Sequence, residues 1–257
     1  MRHEGGEGAR RGARNRAPTP PPHPSTRPGL ALSQDGTHWA RVEADHHTGA
    51  LLDAGDAGAW DAHFVAAPQL VAAGPGDMRM YYHSFDEATR KWTVGVAASP
   101  DGLKWARGGV AFAGGGSTFD AAGAAARHVV RDTASKRWVM FYEGVAADGG
   151  RSIGVATSAD GLSGWTAYPT PVLTPGPPGA WDDGAVGAPC AVPMAAGRWR
   201  LYYGGRSGRA RAGAFCGVGL ALMDAPADDE APGLAEAAWR RRGGEPPAGV
   251  APRGGAL

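Results

Sequence analysis

The sequence predicts an all-β fold of the propeller type, with four antiparallel strands in each blade. Three observations point there. Short runs rich in Val, Tyr, Phe and Trp recur in a fixed order, at units of about 60 residues. Gly, Asp and Pro separate the runs at regular points. Each run spans five to eight residues, and none has the length or the 3.6-residue period of a helix.

The strands can be taken in order, A to D, from the axis outward. "GAWDAHFVAAPQLV" (58–71), "STFDAAGAAARHVV" (117–130) and "GAWDDGAVGAPCAV" (179–192) each place an aromatic and an Asp before strand A. "MRMYYHSF" (78–85), "RWVMFYEG" (137–144) and "RWRLYYGG" (198–205) form strand B. "TVGVAAS" (93–99), "SIGVATS" (152–158) and "GVGLALM" (217–223) form strand C. Strand D follows an Asp-Gly turn with Trp105 or Trp165, and Trp239 takes that part after a longer loop. "GLALSQDGTHWARV" (29–42) matches only C and D. The predicted blade segments are therefore 29–42, 63–107, 125–167 and 185–241, about three and a half blades of a five-bladed type. A closed ring needs at least four blades, so the propeller is expected to be incomplete, with N-terminal blades missing from this sequence. Residues 29–241 make the propeller domain. Residues 1–28 and 242–257 are low in complexity and are expected to be disordered.

Composition narrows the function. With 26 basic and 25 acidic residues the net charge is +1, which argues against nucleic acid and acidic membranes as partners. No apolar run approaches the roughly 18 residues that span a bilayer. The N-terminus lacks the apolar segment of a secretory signal, which points to an intracellular protein, in cytoplasm or plastid. Cys190 and Cys216 lie in apolar runs and read as two buried thiols, too few for a disulfide framework. His46 and His47 are adjacent and would point apart on a strand, so no metal site is predicted, and no cofactor.

The repeated "SQDG", "SPDG" and "SADG" join C to D on the bottom edge. Their glycines can take positive φ and their Asp residues can bond to turn amides, so the motif reads as a turn device. It resembles the sialidase Asp-box, Ser-x-Asp-x-Gly-x-x-Trp, one residue shorter. The opposite face gathers the chemistry. Asp61, Asp120 and the pair Asp182–Asp183 precede strand A, while His83, Asp86, Glu143 and Arg206 stand near the ends of strand B. Polar groups converging on a concave axial opening mark a binding site.

"GAWDxxxVxAP…YY…IGVATSADGLxxW" resembles the repeat of the five-bladed propeller superfamily of arabinanases, levansucrases and invertases, which includes glycoside hydrolase families 32 and 43. The resemblance covers about residues 29–224. It implies a carbohydrate substrate and three axial acids, two Asp and one Glu, on the inner strands. This chain departs from that pattern: "VAAPQLV", "AAARHVV" and "VGAPCAV" carry no acid.

A glycosidase needs a protonated carboxyl at the leaving oxygen and a carboxylate on the other side. Glu143, in an aromatic strand, is the candidate acid, with Asp61, Asp120 and Asp183 as candidate bases or stabilisers. His83, Asp86, Arg127, Arg206, Trp60 and Trp181 complete the predicted substrate-binding set. The competing expectation is a non-catalytic propeller that binds a glycan or a protein, with Glu143 paired to Arg127 or Arg151 and the "WD" aspartates holding loops.

Overall fold

The protein is described here by a computed structural model, which covers residues 26–43, 49–133, 135–195, 197–209, 217–223 and 239–242. The strands are β1 (Leu30–Leu32), β2 (Ala40–Val42), β3 (Ala66–Gly74), β4 (Asp77–Asp86), β5 (Lys91–Ser99), β6 (Ala106–Phe112), β7 (Ala124–Arg131), β8 (Trp138–Val145), β9 (Arg151–Ser158), β10 (Thr166–Ala167), β11 (Ala185–Pro193), β12 (Trp199–Arg206), β13 (Gly217–Met223) and β14 (Trp239–Arg242). A single 3₁₀ turn, Thr118–Asp120, is the one helical element among the described residues.

The topology is three four-stranded meanders, β3-β4-β5-β6, β7-β8-β9-β10 and β11-β12-β13-β14, plus the pair β1-β2. All pairings are antiparallel. This is the predicted partition into three blades and a half blade. One boundary shifts. Thr26 and Pro28, assigned above to a disordered arm, accept hydrogen bonds from Val65 N–H and Leu51 N–H, both at 2.9 Å.

The C–D turns are three copies of one device. In each, the Gly N–H donates to the Ser hydroxyl, at 2.8 Å for Gly36 and Gly102 and 3.0 Å for Gly161. The Asp Oδ1 accepts two further backbone amides, Thr37 and His38, Leu103 and Lys104, or Leu162 and Ser163. The glycines sit at φ +76°, +78° and +76°, where a Cβ would be strained. Trp39 and Trp105 return an indole N–H to the Gly carbonyl, at 3.1 and 3.0 Å. The third turn has one residue more, and the Trp165 indole N–H is buried without a partner.

Blades stack face to face. Tyr81, Val94, Val96 and Phe112 of the first pack against Val129, Trp138 and Met140 of the second. Phe141, Ile153 and Val155 of the second pack against Trp199, Leu201 and Met223 of the third. The bottom of the first seam is polar: Tyr81 O–H donates to the Gly161 carbonyl at 2.8 Å, and Arg79 donates to the Asp160 carbonyl. The innermost strands have bare edges, and side chains cover them. Gln69 accepts from Val129 N–H at 2.8 Å and donates to the Val129 carbonyl at 2.7 Å. His128 Nδ1 accepts from Ala191 N–H at 3.2 Å across the next seam.

The third blade turns the matching face outward. Register equates Val218 with Val94 and Ile153, since each precedes the Gly facing the clamp Tyr described below. Val218 is 80% exposed where the other two are fully buried. Cys190 pairs with Tyr202 on this same face and is exposed, which corrects the expectation of a buried thiol. Cys216 lies outside the described residues.

Candidate ligand-binding site

The aromatic–Asp motif builds a clamp on the flank of each blade. Tyr82, Tyr142 and Tyr203 stand opposite Gly95, Gly154 and Gly219 in register. Each ring lies over its glycine, where an added Cβ would stand 3.1, 2.6 or 2.3 Å from the Tyr Cζ. The hydroxyls then donate to Asp61 at 3.0 Å, Asp120 at 2.8 Å and Asp182 at 3.0 Å. Arg107 and Arg241, on the outer strands, donate to Asp61 at 3.1 Å and Asp182 at 3.0 Å. In the second blade Ala167 takes that strand position, and Gly115 N–H donates to Asp120 at 2.6 Å instead. Asp120 Oδ1 stays buried without a partner. Burial and the adjacent carboxylates push the Tyr82 and Tyr142 hydroxyls well above the usual phenol range, so they remain donors.

Each clamp reaches from strand B across C to D. Asp61 and Asp120 are therefore held on separate blades, and among the described residues no hydrogen bond or ion pair joins them. Trp60 and Trp181 belong to the same flanks, stacked on Tyr82 at 5.4 Å and Tyr203 at 5.8 Å. Asp86 caps the turn after β4, accepting from Ala88 N–H at 2.9 Å and Thr89 O–H at 2.7 Å. Asp183 is tied into its loop by Gly208 N–H at 2.7 Å and Gly179 N–H at 2.8 Å, which hold its carboxyl below the usual range.

The remaining residues do converge. His83 and Glu143 occupy the same place on strand B, the residue after the clamp Tyr, and each reaches the inner strand of the next blade. Arg127 Nη1 donates to His83 Nδ1 at 3.1 Å, and its Nη2 donates to the Ala67 and Tyr81 carbonyls. Glu143 accepts from Ala188 N–H at 3.1 Å and pairs with Arg151. The Arg151 guanidinium also lies over the Trp92 ring, 5.6 Å from its centre. Burial, then the charges of Arg127 and Arg151, lower His83 to about 3. Burial lowers Arg127 to about 9, and burial with the nearby Arg206 lowers Arg151.

The backbone here is special. Each inner strand carries a bulge at one level, between Ala66 and Gln69, Ala124 and Arg127, and Gly187 and Cys190. Ala67 and Ala188 sit at φ +47° and +45° within two of them, a costly conformation for alanine. The bulges turn the Ala67 carbonyl toward Arg127 and the Ala188 amide toward Glu143. The sequence reading named His83, Arg127, Glu143 and Arg206 among its candidates, and contacts join the first three here, Glu143 by way of Arg151 and Trp92. It gave Arg151 only as a partner for Glu143, and it passed over Trp92. Their signal is position alone, at the starts of the C strands beside the upper turns. Among the described residues no three His, Cys, Asp or Glu side chains gather as metal ligands, and no helix is long and apolar enough to cross a membrane.

No family model and no curated protein matches this chain. Solved structures do. The chain is similar to a glycoside hydrolase at 17% identity and a TM-score of 0.54, over 71% of this chain and 57% of that one. It is similar to a glycosyl hydrolase from Bacteroides ovatus at 21% identity and a TM-score of 0.52, over 76% and 57%. Fructan 1-exohydrolase IIa from Cichorium intybus matches at 17% identity and a TM-score of 0.51, over 69% and 31%. The chain thus spans less than two thirds of the length of these structures. What it shares with them is the fold, a β-propeller.

Proposed function

We propose that this chain binds a saccharide at the axial end of its blades, where His83, Arg127, Glu143 and Arg151 meet, and that its own described residues do not form a hydrolytic pair. The observation that carries this reading is the fate of the carboxylates. Hydrolysis needs two carboxyl groups about 5–10 Å apart across one bond. Asp61 and Asp120 are bound into separate flank clamps, and among the described residues Glu143 is the one carboxylate bonded to Ala188 or Arg151. Both partners of Glu143 are donors, the Ala188 amide and the Arg151 guanidinium. The neighbouring folds support saccharide as the ligand class by analogy.

A second reading rests on one further observation. Asp183, the remaining candidate base, lies on a loop directly before the strand whose Ala188 amide holds Glu143. In that reading Glu143 is the acid and Asp183 the base. Titration calorimetry and a hydrolysis assay, run on arabinan, fructan and β-linked oligosaccharides, separate the two. Binding without cleavage is expected, and Glu143→Gln should weaken binding. Cleavage that Glu143→Gln abolishes while binding survives would replace the binding reading with the hydrolytic one.

A further inference from the structure

The axial mouth holds an excess of positive charge. Arg127, Arg151 and Arg206 come from three different strands, β7, β9 and β12. Arg127 donates to His83, whose ring lies 5.7 Å from that of Trp92, and Arg151 lies over the same Trp92. Arg206 stands opposite Ala185 at the start of β11, the strand whose Ala188 amide holds the Glu143 that pairs with Arg151, and its charge acts on Arg151. Glu143 is the one carboxylate bonded to any of them among the described residues. His83 is neutral and adds no charge. Arg127 is buried, and its Nε has no acceptor. Arg151 keeps 30% of its side chain exposed, and among the described residues no acceptor reaches the Arg206 guanidinium.

Bringing three like charges together costs free energy unless an anion answers them. A guanidinium offers a planar fork of donors that matches a carboxylate in two parallel bonds. The blade cores could have closed this end with apolar residues, as Phe64, Phe85 and Trp92 do beside it. Arg206 instead stands at the β12 position that Phe85 and Val145 fill in β4 and β8. The two apolar residues are fully buried there or nearly so.

We propose that the mouth takes an acidic saccharide, its carboxylate set against Arg151 and Arg206, with Arg127 supplying field from beneath. This rests on the saccharide reading above and names the substrate class for the same site. Arg127 also ties two carbonyls of the first blade, so its replacement tests folding; Arg206 carries the test of binding.

The experiment is calorimetry on the full chain with an oligogalacturonide and with its carboxyl-reduced, neutral counterpart, plus inorganic phosphate as a free oxyanion. The acidic oligosaccharide should bind at least tenfold tighter than the reduced one. Arg206→Gln and Arg151→Gln should each erase most of that preference, and Arg41→Gln, on the exposed β2, should leave it intact. Competition by phosphate supports the anion site. Equal binding of the two oligosaccharides overturns the acidic class and leaves saccharide binding standing. Binding of phosphate alone, lost in Arg206→Gln, overturns the saccharide reading. Binding of none of the three overturns both.

Discussion

Gly123 lies where the second blade crosses the backbone of Trp92. A Cβ there would stand 2.0 Å from the Trp92 carbonyl oxygen, and φ is +103°. Backbone cannot retreat as a flexible side-chain end can, so Gly123→Ala should yield mostly insoluble or unfolded chain, read by circular dichroism and solubility. Tyr142 tests the clamp. Its hydroxyl is one of two donors to a buried carboxylate whose other oxygen already has none. Tyr142→Phe should cost about 1–3 kcal/mol in urea unfolding, the penalty for stripping a buried polar group. At the turns, Asp101 is held below the usual carboxylate range by the Leu103 and Lys104 amides and faces solvent. Asp101→Ala should lower Tm by a few degrees and leave saccharide affinity unchanged. A loss of affinity with normal folding would place this turn at the ligand site.

At the scale of strands, the same sequence position has two environments. Ile153→Ala, in the seam between the second and third blades, should cost about 2–5 kcal/mol because it leaves a cavity. Val218→Ala, at the equivalent exposed position, should change stability by less than about 0.5 kcal/mol. Equal costs would mean that this face is covered in solution. The strands themselves were legible in the sequence, because Gly, Asp and aromatic residues recur wherever a turn or a clamp needs them. The direction of the aromatic–Asp loop was not. Asp61 precedes an inner strand, which suggested the axial rim. The loop runs outward instead because Tyr82 lies flat over Gly95 and carries its hydroxyl toward the outer strand. A glycine facing a tyrosine across two strands is a pairing that spacing along one chain does not reveal. The axial cluster was half legible for a related reason. His83 and Glu143 share a repeat position, but Arg127 and Arg151 fall at unrelated ones, so no periodicity links them.

The whole molecule should answer to pH through its seams. The folded state holds His83 near 3, far below the ordinary 6.5, so the unfolded chain binds the extra proton. Stability is then complete above about 6.5 and falls as pH drops toward the folded value, by at most about 1.4 kcal/mol per pH unit for one group. His128 is lowered too, by burial and then by Arg127, and adds in the same direction. Thermal unfolding followed from pH 7 to 5 should show a falling Tm, and His83→Gln should flatten the curve. The two side chains that cover the inner strand edges give the seams separate signatures in time. The amides of Val129 and Ala191 owe their cover to Gln69 and His128, across the blade boundary, rather than to their own sheets. Gln69 has no proton to gain, whereas a protonated His128 can no longer accept from Ala191. Measured as protection against the intrinsic exchange rate, which itself slows in acid, the cover of Ala191 should therefore fall as the solution is acidified while that of Val129 holds, so that the gap behind the third blade loosens first.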